Sequence, residues 1–282
     1  MTIENTYVAL CDILGFGDLV LNAEHEKLKA LFDNIFNTLL QEALSYGAKL
    51  DQASEVNPNL AFSRVHCLQF SDSLLFWTND DSAISFQLLL PVLWRLFGSC
   101  FAAGIPLRGA VTHGVLEVDQ GQIEAATTVL QTRILGKSVV DAYRFERDQI
   151  WSGCMIDPLT IEHFNTLNAA PEWSVERGID FGILMEYEVP RKKSPAEKQL
   201  VIDWTGATRN ELYEPEVLDI FSRYGKAIEA SDVKLKIENT NKFIEAARKR
   251  QTQMKHIQKR MEQQMKPSHE VNWVPFKGSQ PN

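Results

Sequence analysis

Two hydrophobic rhythms run along the chain. Tyr7 to Ile13 is an almost unbroken apolar run rich in strand formers and ends at Gly15 and Gly17, which predicts a buried strand. Leu28, Leu31, Phe32, Ile35, Phe36, Leu39, Leu40 and Ala43 then recur at helical spacing, predicting a long amphipathic helix between Glu24 and Tyr46. After a polar loop containing Pro58, Arg64 to Phe70 and Ser73 to Trp77 read as a hairpin turning at Ser71-Asp72. A second helix is expected from about Ser82 to Ala103. Its most apolar part, Leu88 to Phe101, is interrupted by Pro91 and Arg95 and falls short of a membrane span.

Strands resume at Leu107 to His113, Val115 to Val118 and Thr127 to Leu135, and Gly136 leads into a helix carrying Val139, Val140, Ala142, Tyr143 and Phe145. Ile183 to Val189 and Gln199 to Trp204 predict another hairpin, with Arg191-Lys192-Lys193 at a basic, solvated tip. From Pro215 the pattern is helical and increasingly charged, and the last dozen residues read as disordered. There is no internal repeat. This order fits an α+β fold, a mainly antiparallel sheet with helices on one face. The division expected is 1–205 for the main α+β domain and 206–282 for a helical extension with a disordered tail. The helix bearing Phe243, Ile244, Ala247, Met254, Ile257 and Met261 reads equally as a dimer brace or as a cover for its own core.

Composition narrows the classes of function. The 282 residues are 44% hydrophobic and 10% aromatic with a net charge of −8, which suits a globular protein and argues against a duplex nucleic-acid binder. Cys11, Cys67, Cys100 and Cys154 are widely spaced and form no zinc pattern, so they read as buried thiols in a reducing cytosol. The polar start Thr2-Ile3-Glu4-Asn5 does not resemble a secretion signal, and a cytoplasmic, non-membrane protein is expected. His113, on an apolar strand, reads as a core or hairpin histidine.

The candidate chemistry lies in two short stretches. Cys11-Asp12-Ile13-Leu14-Gly15-Phe16 and Phe70-Ser71-Asp72-Ser73 each place one carboxylate at the edge of a strand. As neighbours, Asp12 and Asp72 would form a two-metal site for a triphosphate. Gly15, Phe16 and Gly17 follow Asp12 and lead toward a helix, so their amides can cradle phosphates. Taken singly, each aspartate reads sooner as an ordinary turn or capping residue.

These stretches carry a resemblance to a known family. Asp12-Ile13-Leu14-Gly15-Phe16 resembles the first metal motif of class III nucleotidyl cyclases, and Phe70-Ser71-Asp72-Ser73 resembles the second. Arg108 to Gly114 resembles the family's Arg-x-Gly-Ile-x-x-Gly strand, with the small residue shifted by Gly109 and Ala110. Gly136 to Glu146 resembles the helix that completes the site. The Arg-Gly-Ala strand, the Gly-x-x-x-x-x-Ala-Tyr-x-x-Glu helix, the Asp-Trp hairpin and the Glu-Asn-Thr-x-x-Phe helix are most similar to the pyrimidine cyclases of bacterial Pycsar anti-phage systems.

The resemblance implies a ferredoxin-like cyclase domain making cyclic UMP or cyclic CMP as an infection signal for a separate effector. It implies two divalent ions, Mg²⁺ or Mn²⁺, on Asp12, Asp72 and the carbonyl of Ile13. It also implies a homodimer with shared sites, in which Arg144 of one chain stabilises charge on the α-phosphate bound by the other. Where the family usually has a ribose-binding asparagine this chain has Val140, followed by Asp141. Leu68 stands at a position where purine cyclases carry a lysine or a glutamate, and Arg133 where adenylyl cyclases carry an aspartate. A donor-only guanidinium at Arg133 suits the O4 of uracil better than the amino group of cytosine, which favours UTP over CTP. Arg133 pointing to solvent or to a carboxylate is the other reading. A purine cyclase and a catalytically silent nucleotide sensor are the remaining alternatives.

Overall fold

The computed structural model describes residues 4–52, 58–122, 130–167, 174–207 and 216–265. In chain order these form β1 (Glu4–Ile13), α1 (Phe16–Asn22), α2 (His25–Ala30), a π-helical segment (Leu31–Phe36) and α3 (Asn37–Gln52). There follow β2 (Val65–Phe70), β3 (Ser73–Thr78), α4 (Ala83–Ala102), β4 (Leu107–Gln122), β5 (Leu130–Leu135) and α5 (Lys137–Asp148). The remainder comprises β6 (Cys154–Ile156), α6 (Pro158–Thr166), α7 (Val175–Asp180), β7 (Leu184–Val189), β8 (Glu197–Ile202), α8 (Val217–Ser222) and α9 (Ser231–Met265).

The sheet runs β2-β3-β1-β4-β6-β8-β7, with β5 paired to the far end of β4. All pairings are antiparallel except β4 with β6. The first four strands, with the α2–α3 and α4 crossovers, make the β-α-β-β-α-β arrangement of a ferredoxin-like unit. The expected α+β, mainly antiparallel fold is therefore the observed one.

β1 lies at the centre and explains its own composition. Alternate residues of a strand point to opposite faces. Tyr7, Ala9, Cys11 and Ile13 join the main core with Phe86, Leu89, Leu93 and Phe97 of α4. Val8 and Leu10 join a second, smaller core with Leu75, Leu116, Val118 and Ala142 of α5. Both faces are covered, so β1 is apolar from Tyr7 to Cys11, until Asp12 takes the next position on the α5 face. Helices on one face only was the expectation; α5 on the other face corrects it.

Several boundaries also differ from the sequence reading. The helix predicted from Glu24 to Tyr46 is divided by the π-helical segment, which carries the fully buried Phe36. The two runs on either side of Gly114 are one strand of 16 residues. α4 spans 20 residues and has the length and hydropathy of a membrane span, which the shorter Leu88–Phe101 stretch understated. Its burial in the main core accounts for that hydropathy. Residues 127–129 of the predicted third strand, and the tail read as disordered, lie outside the described residues. The four cysteines are free, and all but Cys67 are fully enclosed.

The first half of α9 covers the chain's own core. Phe243 is fully buried, its ring 4.6 Å from Trp151, 5.1 Å from Tyr187 and 5.6 Å from Trp204. Ser152 donates its amide to Thr240 Oγ1 at 2.9 Å, and Arg250 reaches Asp203 at 3.1 Å. Those contacts tie the helix to β6 and to the end of β8. The Phe243→Ala substitution is expected to cost about 3–5 kcal/mol, as for a large buried aromatic. Urea denaturation should show a lowered midpoint and a single transition; separate unfolding of α9 would contradict a shared core.

Candidate functional site

Strand pairing brings the two carboxylates together. Asp12 lies opposite Ser73 of β3 on one side and Arg108 of β4 on the other. Directly opposed residues share a face, so Ser73, Asp12 and Arg108 form one row on the α5 side. Asp72 is in the tight β2–β3 turn, where Ser71 takes a left-handed backbone with φ 53°. The turn is fastened to β1 because Ile13 donates its amide to the carbonyl of Asp72 at 3.0 Å. The side chain of Ser73 donates to Asp12 Oδ1 at 3.3 Å.

Beneath Asp12 lies a buried ionic network. Arg108 pairs with Glu146 of α5, and its Nη2 is 3.9 Å from Asp12 Oδ2. Arg108 Nη1 donates to the carbonyl of Gln149 at 3.2 Å, and Gln149 Nε2 donates to the carbonyl of Gly109 at 2.8 Å. Trp151 Nε1 completes the set by donating to Gln149 Oε1 at 2.9 Å. A buried charge is tolerated when its remaining hydrogen-bonding capacity is satisfied in this way.

The network leaves an excess of negative charge at the surface. Asp12, whose side chain is 28% exposed, has its carboxyl pushed up to about 7 by burial, then by Glu146 and Asp72, against the opposing pull of Arg108. Burial also raises Glu146, again against Arg108. One guanidinium thus faces two carboxyls, with Asp72 a third acidic group beside them. The donor set suits hard divalent cations such as Mg²⁺, which take carboxylate and carbonyl oxygens.

The glycine turn follows directly. Gly15 has φ 78°, the left-handed conformation that favours glycine, and caps α1. A Cβ there would come within 2.9 Å of Lys226 Cδ. Lys226 is buried and donates to the carbonyl of Gly104 at 2.9 Å, and burial pushes its ammonium down to about 8. Phe16 packs edge-on against Phe32 at 5.7 Å.

The remaining sequence candidates divide. Leu68 is opposite Leu75, itself opposite Leu10, so it lies in the row next to Asp12 on the same face. Among the described residues, Arg144 forms no ion pair with Asp12 within one chain. Its side chain is 74% exposed and lies 3.7 Å from Asp141. Val140, Tyr143 and Arg147 share that exposed face of α5 at helical spacing. Arg133 is on β5, 3.9 Å from Asp119, in agreement with the carboxylate-paired reading. Asp119 is eleven positions beyond Arg108 along β4, about 36 Å at the usual strand rise.

Other residues were missed or misread from sequence. Glu146, Gln149 and Lys226 had no assigned role, although Glu146 lies one turn after Ala142 on the buried stripe of α5 and Gln149 is the residue that ends the helix. The Arg191-Lys192-Lys193 tip is not simply solvated. Lys192 and Lys193 donate their amides to the carbonyl and side chain of Asp148, at 2.7 and 3.0 Å, folding the tip onto the end of α5. Burial and the charge of Arg108 lower the pKa of Lys192.

No family model and no curated protein matches the sequence. Among solved structures, the chain is similar to the adenylyl cyclase CyaB from P. aeruginosa, at 17% identity and a TM-score of 0.42, covering 75% of this chain and 98% of that one. It is also similar to the guanylate cyclase domain of RhGC from Catenaria anguillulae, at 15% identity and a TM-score of 0.43, covering 71% and 96% respectively. A bacterial light-regulated adenylyl cyclase gives 9% identity and a TM-score of 0.48 over 79% of this chain and 57% of that one. At these identities, residue roles rest on this chain's own geometry.

The raised Asp12 carboxyl has a consequence for stability. Its folded value lies above the ordinary 3.8, so between about pH 4 and pH 7 the folded state binds the extra proton and loses stability as pH rises. In chelator, urea midpoints should fall across this window, and Asp12→Asn should flatten the fall. An unchanged slope in Asp12→Asn would remove Asp12 as its source.

Proposed function

We propose that this chain is a pyrimidine nucleotidyl cyclase that converts UTP to 3′,5′-cyclic UMP and pyrophosphate, in the cytoplasm and without nucleic acid or membrane as a partner. Its product would serve as a messenger in anti-phage defence, acting on a separate effector. The observation that carries the reading is the meeting of Asp12 and Asp72 at one sheet edge, above the Arg108–Glu146 pair.

Cyclisation forms a bond from the ribose 3′-oxygen to the α-phosphorus and breaks the bond to pyrophosphate, with the hydroxyl proton passing to water. Divalent ions on Asp12, Asp72 and the Ile13 carbonyl, Mg²⁺ or Mn²⁺, supply a lowered hydroxyl pKa and neutralisation of the charge on the α-phosphate when bound. The chain's own residues do the positioning. Arg108 and Glu146 hold Asp12 in place, and the turn at Gly15, Phe16 and Gly17 offers backbone amides to the β- and γ-phosphates.

The base would meet an apolar wall at Leu68, which has no group to read a purine edge. Arg133 and Arg144 enter from a second copy. This is supported by the pairing of Arg133 with Asp119 and of Arg144 with Asp141, not with Asp12, within one chain and by the exposed apolar side chains of Val140, Tyr143 and Leu135 near them. With Arg133 against O4 of the base, UTP is preferred over CTP. The same two-copy site leaves Asp141 beside Val140 as the nearest polar group for the ribose.

Each of the four radiolabelled nucleoside triphosphates, incubated with the protein and Mn²⁺ or Mg²⁺, tests the substrate. UTP should give the cyclic product fastest, with CTP next. Conversion of ATP or GTP alone would refute the pyrimidine reading, and binding without product would make the protein a sensor. Asp12→Ala and Asp72→Ala should each lower turnover by at least about a hundredfold, the scale of losing one charge-stabilising group. Mixing the Asp12→Ala/Asp72→Ala double variant with Arg144→Ala should restore part of the activity, because one of the two mixed sites is intact. Absence of any rescue would exclude the shared site.

A further inference from the structure

A second cluster of metal-binding side chains lies on the opposite face of the sheet. His113 is opposite Tyr7 in the β1–β4 register and therefore shares its face, the one covered by α4, whereas Asp12 is on the α5 face. It is also five positions along β4 from Arg108, about 17 Å at the usual rise. Asp81 projects from the turn between β3 and α4, and His163 comes from α6. One ligand atom from each of these three lies within 4.8 Å of the other two. Instead of the simple core or hairpin residue expected from sequence, His113 is a half-buried member of this cluster.

One of the two imidazoles is hydrogen-bonded to the carboxylate and the other is not. His113 Nε2 lies 3.2 Å from Asp81 Oδ2, and His163 Nε2 lies 3.3 Å from the same oxygen. In a tetrahedral zinc centre with bonds of about 2.0–2.1 Å, neighbouring donor atoms are about 3.3 Å apart. His163 Nε2 is buried and makes no hydrogen bond despite its closeness to the carboxylate. The imidazoles are stacked at 3.6 Å and 10°, so their in-plane lone pairs run nearly parallel, and a shared ion requires one ring to turn toward the other. Tyr7, fully buried, packs against both rings at 5.4 and 6.0 Å, and its hydroxyl also has no partner.

We infer that Asp81, His113 and His163 form a site for one divalent transition-metal ion of the zinc class, separate from the Asp12–Asp72 site. Two imidazoles and one carboxylate favour Zn²⁺ or Co²⁺ over Mg²⁺, whose preference is for oxygen donors. Three protein ligands leave a fourth position for water. The ion would cross-link the β3–α4 turn, β4 and α6, three segments well separated in sequence, and would stabilise the fold by binding the native state alone.

The test uses the full chain, stripped with chelator and titrated with Co²⁺ while excess Mg²⁺ fills the oxygen-rich site. One equivalent should produce the visible absorption of four-coordinate Co²⁺, and Zn²⁺ should displace it. His163→Gln and Asp81→Asn should each weaken binding at least tenfold and abolish the rise in thermal midpoint that Zn²⁺ gives the unaltered protein. Circular dichroism of the stripped variants checks that they fold. Should either variant be unfolded, nitrogen-15 spectra of the histidine rings in the unaltered protein decide, since Zn²⁺ must shift two imidazoles together. Absence of a histidine-dependent Co²⁺ spectrum, undiminished binding in both variants, or unshifted rings would overturn the site.

Discussion

The buried pair between Arg108 and Glu146 is the constraint on which the candidate active site depends. Taking both charges out of water is expensive, and a pair of this kind persists only when its remaining donors and acceptors are satisfied. Here Arg108 also bonds the carbonyl of Gln149, and the Gln149 side chain is held in turn by Gly109, Phe145 and Trp151. α5 is thereby locked onto β4 at one place and in one rotation. Asp12, the next group outward, inherits its electrostatic surroundings from that lock. Removing either partner would leave an uncompensated charge under the site, so packing and chemistry cannot be separated at this edge.

A sheet covered on both faces allows two chemically different positions to be built from the same strands. At the α5 face, hard oxygens collect where β1 and the β2–β3 turn end together. On the opposite face, imidazoles from β4 and α6 meet a carboxylate from the β3–α4 turn. Tyr7 and Val8 are adjacent in sequence and belong to different cores, which shows how completely the strand period of two separates these regions. The first region is suited to labile, oxygen-coordinated ions and the second to a tightly held one.

The legibility of the sequence varied with the physical source of each signal. β1 and the β2–β3 hairpin could be read because apolar runs ended at turn residues, and the same endings marked Asp12 and Asp72. α4 could be read from its length and apolar content. β6 escaped because three residues carry no periodicity; it is a strand only because the neighbouring β4 and β8 supply hydrogen bonds. Gly114 suggested a break that β4 does not have. The basic tip at Arg191-Lys192-Lys193 looked solvated because the chain alone does not reveal that Asp148 receives it.

By itself, then, the sequence determined the alternation of elements, the α+β class and the two carboxylates at strand ends, since these depend on local periodicity and turn chemistry. The tertiary structure decided what surrounds those carboxylates and which distant groups join them. It put Arg108 and Glu146 beneath Asp12, paired Arg133 and Arg144 with other carboxylates, and gathered Asp81, His113 and His163 from three separate segments. Such long-range meetings depend on strand register and helix rotation. Those are settled by burying two faces of one sheet at once, a condition that no single stretch of the sequence contains.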